Sequence, residues 1–75
     1  MDIHHLVKMA NDISAFFEAE PDRSKGAKGV ADHIRNFWDP RMRRAIFAHI
    51  DKDAGKGLHA LALSALQTHR SDLGG

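Results

Sequence analysis

Six histidines, His4, His5, His33, His49, His59 and His69, are the residues of this chain best suited to chemistry, because imidazole binds metals and moves protons near neutral pH. A metal site needs several ligands converging on one ion. His4 and His5 are adjacent, so on a helix they point about 100° apart. No His-Glu-x-x-His pair occurs, and without cysteine a zinc site would need three ligands brought together from separate helices. His49 and His69 fall on the apolar stripes of their segments, the usual place of a hydrogen-bonded core or boundary histidine. No bound metal is expected.

Two loop motifs begin like ligand sites and stop short. Asp51-Lys52-Asp53-Ala54-Gly55 opens like a calcium loop, which needs glycine at its sixth position and a bidentate glutamate at its twelfth. Those positions hold Lys56 and Ala62. Gly55-Lys56-Gly57 lacks the spacing and the hydroxyl residue of a phosphate-binding loop. The segment is therefore expected to be a helix C-cap. Ser14, Ser24, Ser64, Thr68 and Ser71 are the available hydroxyl nucleophiles, and none has a base at a recognisable spacing. Glu18 with Glu20 and Asp51 with Asp53 pair carboxylates only at helix ends beside solvent. No catalytic constellation is expected.

Arg41, Arg43 and Arg44 are more informative. They sit in the first turns of a helix, where cations oppose the helix dipole. On the helical wheel Phe47 falls off the apolar stripe, between Arg43 at i−4 and Arg44 at i−3, and an aromatic flanked by arginines has the character of a protein-interface anchor. The other reading is a solvated basic face with Phe47 drawn under a neighbouring helix. A helix-turn-helix module would also put these arginines near phosphates or bases, but the Asp39-Pro40 junction leaves no turn of three or four residues.

The elements that would position these residues are all helical. Period-2 alternation is absent and helical spacing recurs four times. Ile3, Leu6, Val7, Met9, Ala10, Ile13, Phe16 and Phe17 mark a helix over about 3–19, with Asp2 as N-cap and Glu20-Pro21 closing it. Their arc of about 180° is wider than the roughly 100° that a one-sided surface helix needs, so this helix should touch two neighbours. Ala27, Val30, Ala31, Ile34, Phe37 and Trp38 mark a second over about 24–38, capped by Asp22 or Ser24. Gly26 and Gly29 each cost it roughly 1 kcal/mol against alanine, which suggests a frayed first turn or, alternatively, close backbone approach. Asp39 before Pro40 caps a third helix over about 40–51. A fourth covers about 58–71, with Leu63 off its stripe, and residues 71–75 should fray. The expected architecture is all-α: one domain over 1–75, a bundle of three to four helices.

Composition narrows the function classes. With 75 residues and no cysteine the chain has no disulfide staple, and a single core of this size rarely leaves more than about 3–5 kcal/mol of stability. Concave active sites of about 300–1,000 Å³ are hard to carve from so small a body. The formal net charge of +1 is too balanced for a nucleic-acid footprint, and no apolar run approaches the roughly 20 residues of a membrane span. The N-terminus shows neither a basic leader nor an apolar signal core, so a cytoplasmic protein is expected. An adaptor or subunit fits these limits better than a free-standing catalyst.

Two strings then carry a resemblance. His5-Leu6-Val7-Lys8-Met9-Ala10-Asn11-Asp12-Ile13 and, more specifically, Val30-Ala31-Asp32-His33-Ile34-Arg35-Asn36-Phe37-Trp38-Asp39-Pro40-Arg41-Met42-Arg43 resemble the delta subunit of soluble bacterial NAD-dependent formate dehydrogenase. The resemblance covers about residues 5 to 50. It implies a small non-catalytic subunit of a cytoplasmic enzyme that oxidises formate to carbon dioxide and passes the electrons to NAD. Its partner would be the large catalytic (alpha) subunit. This chain would bind no cofactor, while partner subunits would carry the molybdenum or tungsten bis-pterin, iron–sulfur clusters, FMN and NAD. The surface of His33, Phe37, Trp38, Asp39, Pro40, Arg41, Arg43 and Arg44, with Phe47 as the arginine-flanked anchor, is the expected docking face, although the Trp38 ring falls on the core side of the wheel. The arginines could meet carboxylates of the large subunit or phosphates of the pterin dinucleotide during cofactor loading.

Overall fold

The computed structural model describes residues 2–75 as an all-α fold of four helices. They are α1 (Ile3–Phe17), α2 (Arg23–Phe37), α3 (Pro40–Asp53) and α4 (Ala60–Thr68). Three begin on an aspartate whose carboxylate takes up otherwise unpaired first-turn N–H groups. Asp2 accepts from His4 N at 2.9 Å, Asp22 from Ser24 N at 3.0 Å, and Asp39 from Arg41 N at 2.9 Å and Met42 N at 3.1 Å. Pro40 occupies the first turn of α3, where its missing N–H costs nothing.

The fourth helix starts differently. His59 is its N-cap and makes no side-chain cap bond. Instead, Asn11 on α1 reaches across: its Oδ1 accepts from His59 N at 2.8 Å and its Nδ2 donates to the Gly57 carbonyl at 2.9 Å. This clamp holds residues 57–59 out of helical geometry, so Leu58 lies in the loop and α4 is shorter than the 58–71 expected. The other ends shift by one or two residues: α1 stops at Phe17, α2 begins at Arg23 and ends at Phe37, and α3 runs on to Asp53. The α3–α4 segment is the C-cap its composition suggested, with Ala54, Gly55 and Gly57 all at positive φ.

α1 packs against all three other helices, and α2 lies on α1 and α4. Small residues line these contacts, with Ala10, Ala62 and Ala65 wholly enclosed, and Val30, Ile34, Ile46 and Leu66 fill the centre. Gly26 and Gly29 are a seat rather than a frayed turn. A Cβ added at Gly29 would stand 2.4 Å from the Phe17 ring, and one at Gly26 would stand 3.1 Å from the Phe17 carbonyl oxygen.

Phe47 is the main departure from the helical wheel, since it is only 3% exposed. The C-terminal segment covers it. Arg70 stacks its guanidinium 4.8 Å from the Phe47 ring centroid, and its Nη1 and Nη2 each reach an Asp51 carboxylate oxygen at 2.8 Å. Arg70 Nε also donates to the Gly75 carbonyl at 3.1 Å. Residues 71–75, where fraying is expected from sequence, form a packed turn with Leu73 inserted in the core. Leu63 is half-buried rather than displayed. Trp38 is buried, as its wheel position suggested.

Three outcomes follow from this packing. Ser14 is fully enclosed and its hydroxyl has no hydrogen-bond partner, so Ser14→Ala should raise stability by about 1 kcal/mol in urea unfolding. Gly29→Ala should lower stability in the native background because the new methyl displaces the Phe17 ring, whereas in a Phe17→Ala background it should raise it by about 1 kcal/mol. Finally, the hydrogen bonds from Arg70 hold the Asp51 carboxyl below its usual range. A depressed carboxyl stabilises above its unfolded value of about 3.9 and loses that contribution as pH falls through its folded value. The gap in urea midpoint between the native chain and Asp51→Asn should therefore hold steady well above the unfolded value of about 3.9 and narrow as the pH is lowered below it.

Candidate docking surface

The end of α1 and the second half of α2 together form an aromatic face that the fold leaves uncovered. Phe17 is drawn inward onto Gly29, and its neighbour Phe16, about 100° further round the helix, is turned out to solvent at 78% exposure. The two rings meet edge to face, with centroids 5.1 Å apart and planes at 86°. On α2, His33 and Phe37 stand at i and i+4 with ring centroids 4.7 Å apart, and Phe37 is 73% exposed. Between these pairs lies a notch of about 320 Å³ lined by Ile13, Phe16, Phe17 and His33. Scattered exposed apolar residues are ordinary, whereas here these rings gather around one notch.

The α2–α3 corner supplies charge beside this face in the sequence. Asp39 is occupied as the α3 cap and Pro40 sets the turn. Arg41 and Arg44 are exposed, Arg43 is half-buried, and none of the three makes an ion pair among the described residues. The Arg43 Nε is enclosed with no hydrogen-bond partner. Of the residues expected to form one docking surface, His33 and Phe37 join the aromatic face, and Arg41 and Arg44 stand free at the corner. Trp38 and Phe47 lie inside. Phe47 is thus no exposed anchor, because the Arg70 turn closes over it.

Ile13, Phe16 and Phe17 were not among the expected site residues. The signal was present in the width of the α1 stripe: adjacent phenylalanines diverge by about 100°, so one helix neighbour cannot bury both.

His49 and His69 make local contacts. His49 is half-buried, with Nε2 2.7 Å from the Lys56 carbonyl oxygen and Nδ1 3.6 Å from Asp53. Since a carbonyl only accepts, Nε2 carries the proton and fastens the α3–α4 loop. His69 stands 3.9 Å from Asp72. Among the described residues no three His, Asp or Glu side chains gather in a way that could hold a metal ion. Among the described residues no helix is long and apolar enough to cross a membrane.

A family model described as the NADH-dependent formate dehydrogenase delta subunit, FdsD, matches residues 5–66. No curated protein and no solved structure matches the chain. The matched span takes in nearly all of α1, the whole of α2 and α3 with their Asp39-Pro40 corner, and most of α4. The chain accordingly belongs to the family of NADH-dependent formate dehydrogenase delta subunits.

Proposed function

We propose that this chain is a non-catalytic accessory subunit which docks on the large catalytic (alpha) subunit of a cytoplasmic formate dehydrogenase and stabilises it or aids its assembly. The observation that carries this reading is the pair Phe16 and Phe37, left 78% and 73% exposed on a chain with so small a core. Burying one such ring against a partner contributes roughly 1.5–3 kcal/mol. The unpaired guanidiniums of Arg41 and Arg44 suit carboxylates at the rim of the same contact. Formate oxidation and electron transfer would belong to partner subunits carrying the molybdenum or tungsten bis-pterin, iron–sulfur clusters, FMN and NAD. This chain has no cysteine with which to ligate a cluster.

The test is co-purification with a tagged large subunit. The native chain should be retained, and Phe16→Ser combined with Phe37→Ser should weaken binding at least about a hundredfold, since two rings together contribute about 3 kcal/mol or more. The helical circular dichroism and Tm of the variant should stay close to native, because both side chains already face water. A native chain that elutes apart from intact enzyme would sink the proposal, as would a double variant retained as well as the native chain.

A further inference from the structure

A second concavity lies between the first half of α2 and the end of α4, with a volume of about 520 Å³. Its cationic lining comes from α2, as Arg23, Lys25 and Lys28; His69 lines it from just beyond α4, 3.9 Å from Asp72, and no carboxylate is among the lining residues. Lys28 is already committed to Asp32, with Nζ to Oδ2 at 2.9 Å. Arg23 and Lys25 have no ion-pair partner among the described residues. Ser64 and Thr68, at i and i+4 on α4, add two hydroxyls to the facing wall. Ala27, itself nearly buried, lies between the walls.

The α2 backbone does not account for this site. The Asp22 carboxylate takes the hydrogen bonds of Ser24 N, Ser24 Oγ and Lys25 N, and these hold it below the usual carboxylate range. The first-turn N–H groups are thus shared with an anion the protein supplies. The positive charge available to a ligand is that of the Arg23 and Lys25 side chains.

We propose that this groove binds a phosphorylated small molecule. Its phosphate would be held by Arg23 and Lys25 with the Thr68 hydroxyl, and its organic part would lie along Ala27 and the lysine stems. Two free cations with hydroxyls on the opposite wall match a group of about −1.5 to −2 charge and three acceptor oxygens better than a carboxylate with two. The volume falls within the roughly 300–1,000 Å³ of small-molecule sites and exceeds what a bare anion would fill. None of the residues belongs to the aromatic face, so this site and the docking reading stand or fall separately.

Amide NMR titration of the full chain at fixed ionic strength tests it, with adenosine 5′-monophosphate as probe and inorganic phosphate, adenosine and sodium acetate as comparisons. Adenosine monophosphate should give saturable shifts confined to the amides of residues 23–28 and 64–69. Inorganic phosphate should move the same amides only at several-fold higher concentration, and adenosine and acetate should leave them in place. Arg23→Gln with Lys25→Gln, both at exposed positions, should weaken binding about tenfold. The proposal fails if the shifts do not saturate, if acetate reproduces them, if phosphate binds as tightly as the nucleotide, or if the double variant binds like the native chain.

Discussion

The contact between Phe17 and the bare backbone of α2 at Gly26 and Gly29 sets the geometry of this protein. A glycine inside a helix gives up roughly 1 kcal/mol relative to alanine, and α2 does so twice within four residues. In return α1 can lie with an aromatic ring where a side chain would otherwise stand. This close approach fixes the end of α1 and the course of the short turn to Asp22. It also directs the preceding ring: with Phe17 seated, Phe16, about 100° away round the helix, is turned to solvent. The aromatic face is therefore a by-product of how the bundle is closed, and the same two glycines underlie both packing and display.

The four stripes and the three aspartate caps were legible in sequence because each is local: an aspartate two or three residues before its N–H partners, or an apolar residue every third or fourth position. The Asp39-Pro40 corner was plain for the same reason, and the string around it carried the family resemblance. Contacts that depend on distant partners were not legible. Phe47 lies off the α3 stripe and is buried by Arg70 and the segment after it, which no wheel of α3 contains. The start of α4 is set by Asn11, whose polar side chain on an otherwise amphipathic helix gives no hint of what it will reach. For the docking face, His33 and Phe37 could be read from their spacing, while Phe16 needed the knowledge that Phe17 takes the only seat available.

Membership of a delta-subunit family and the distribution of apolar surface are mutually consistent. The core combines alanines at the helix contacts with branched side chains and two aromatic rings, Trp38 and Phe47. Phe16 and Phe37 lie outside it, and among the described residues the three arginines after Pro40 make no ion pair. A partner that bound the folded state alone would add to its stability by mass action.

The Asn11 clamp bears on how the chain folds. α4 has nine residues, short of the roughly 12–15 at which an isolated helix becomes even marginal in water, and its first turn is tied to a residue 48 positions earlier. It therefore depends on tertiary packing for its stability. The entropy of closing most of the chain into a loop must be met before this contact forms, which raises the contact order of an otherwise local helical fold and slows it relative to simple bundles. The Asn11 side chain thereby makes the start of α4 depend on α1.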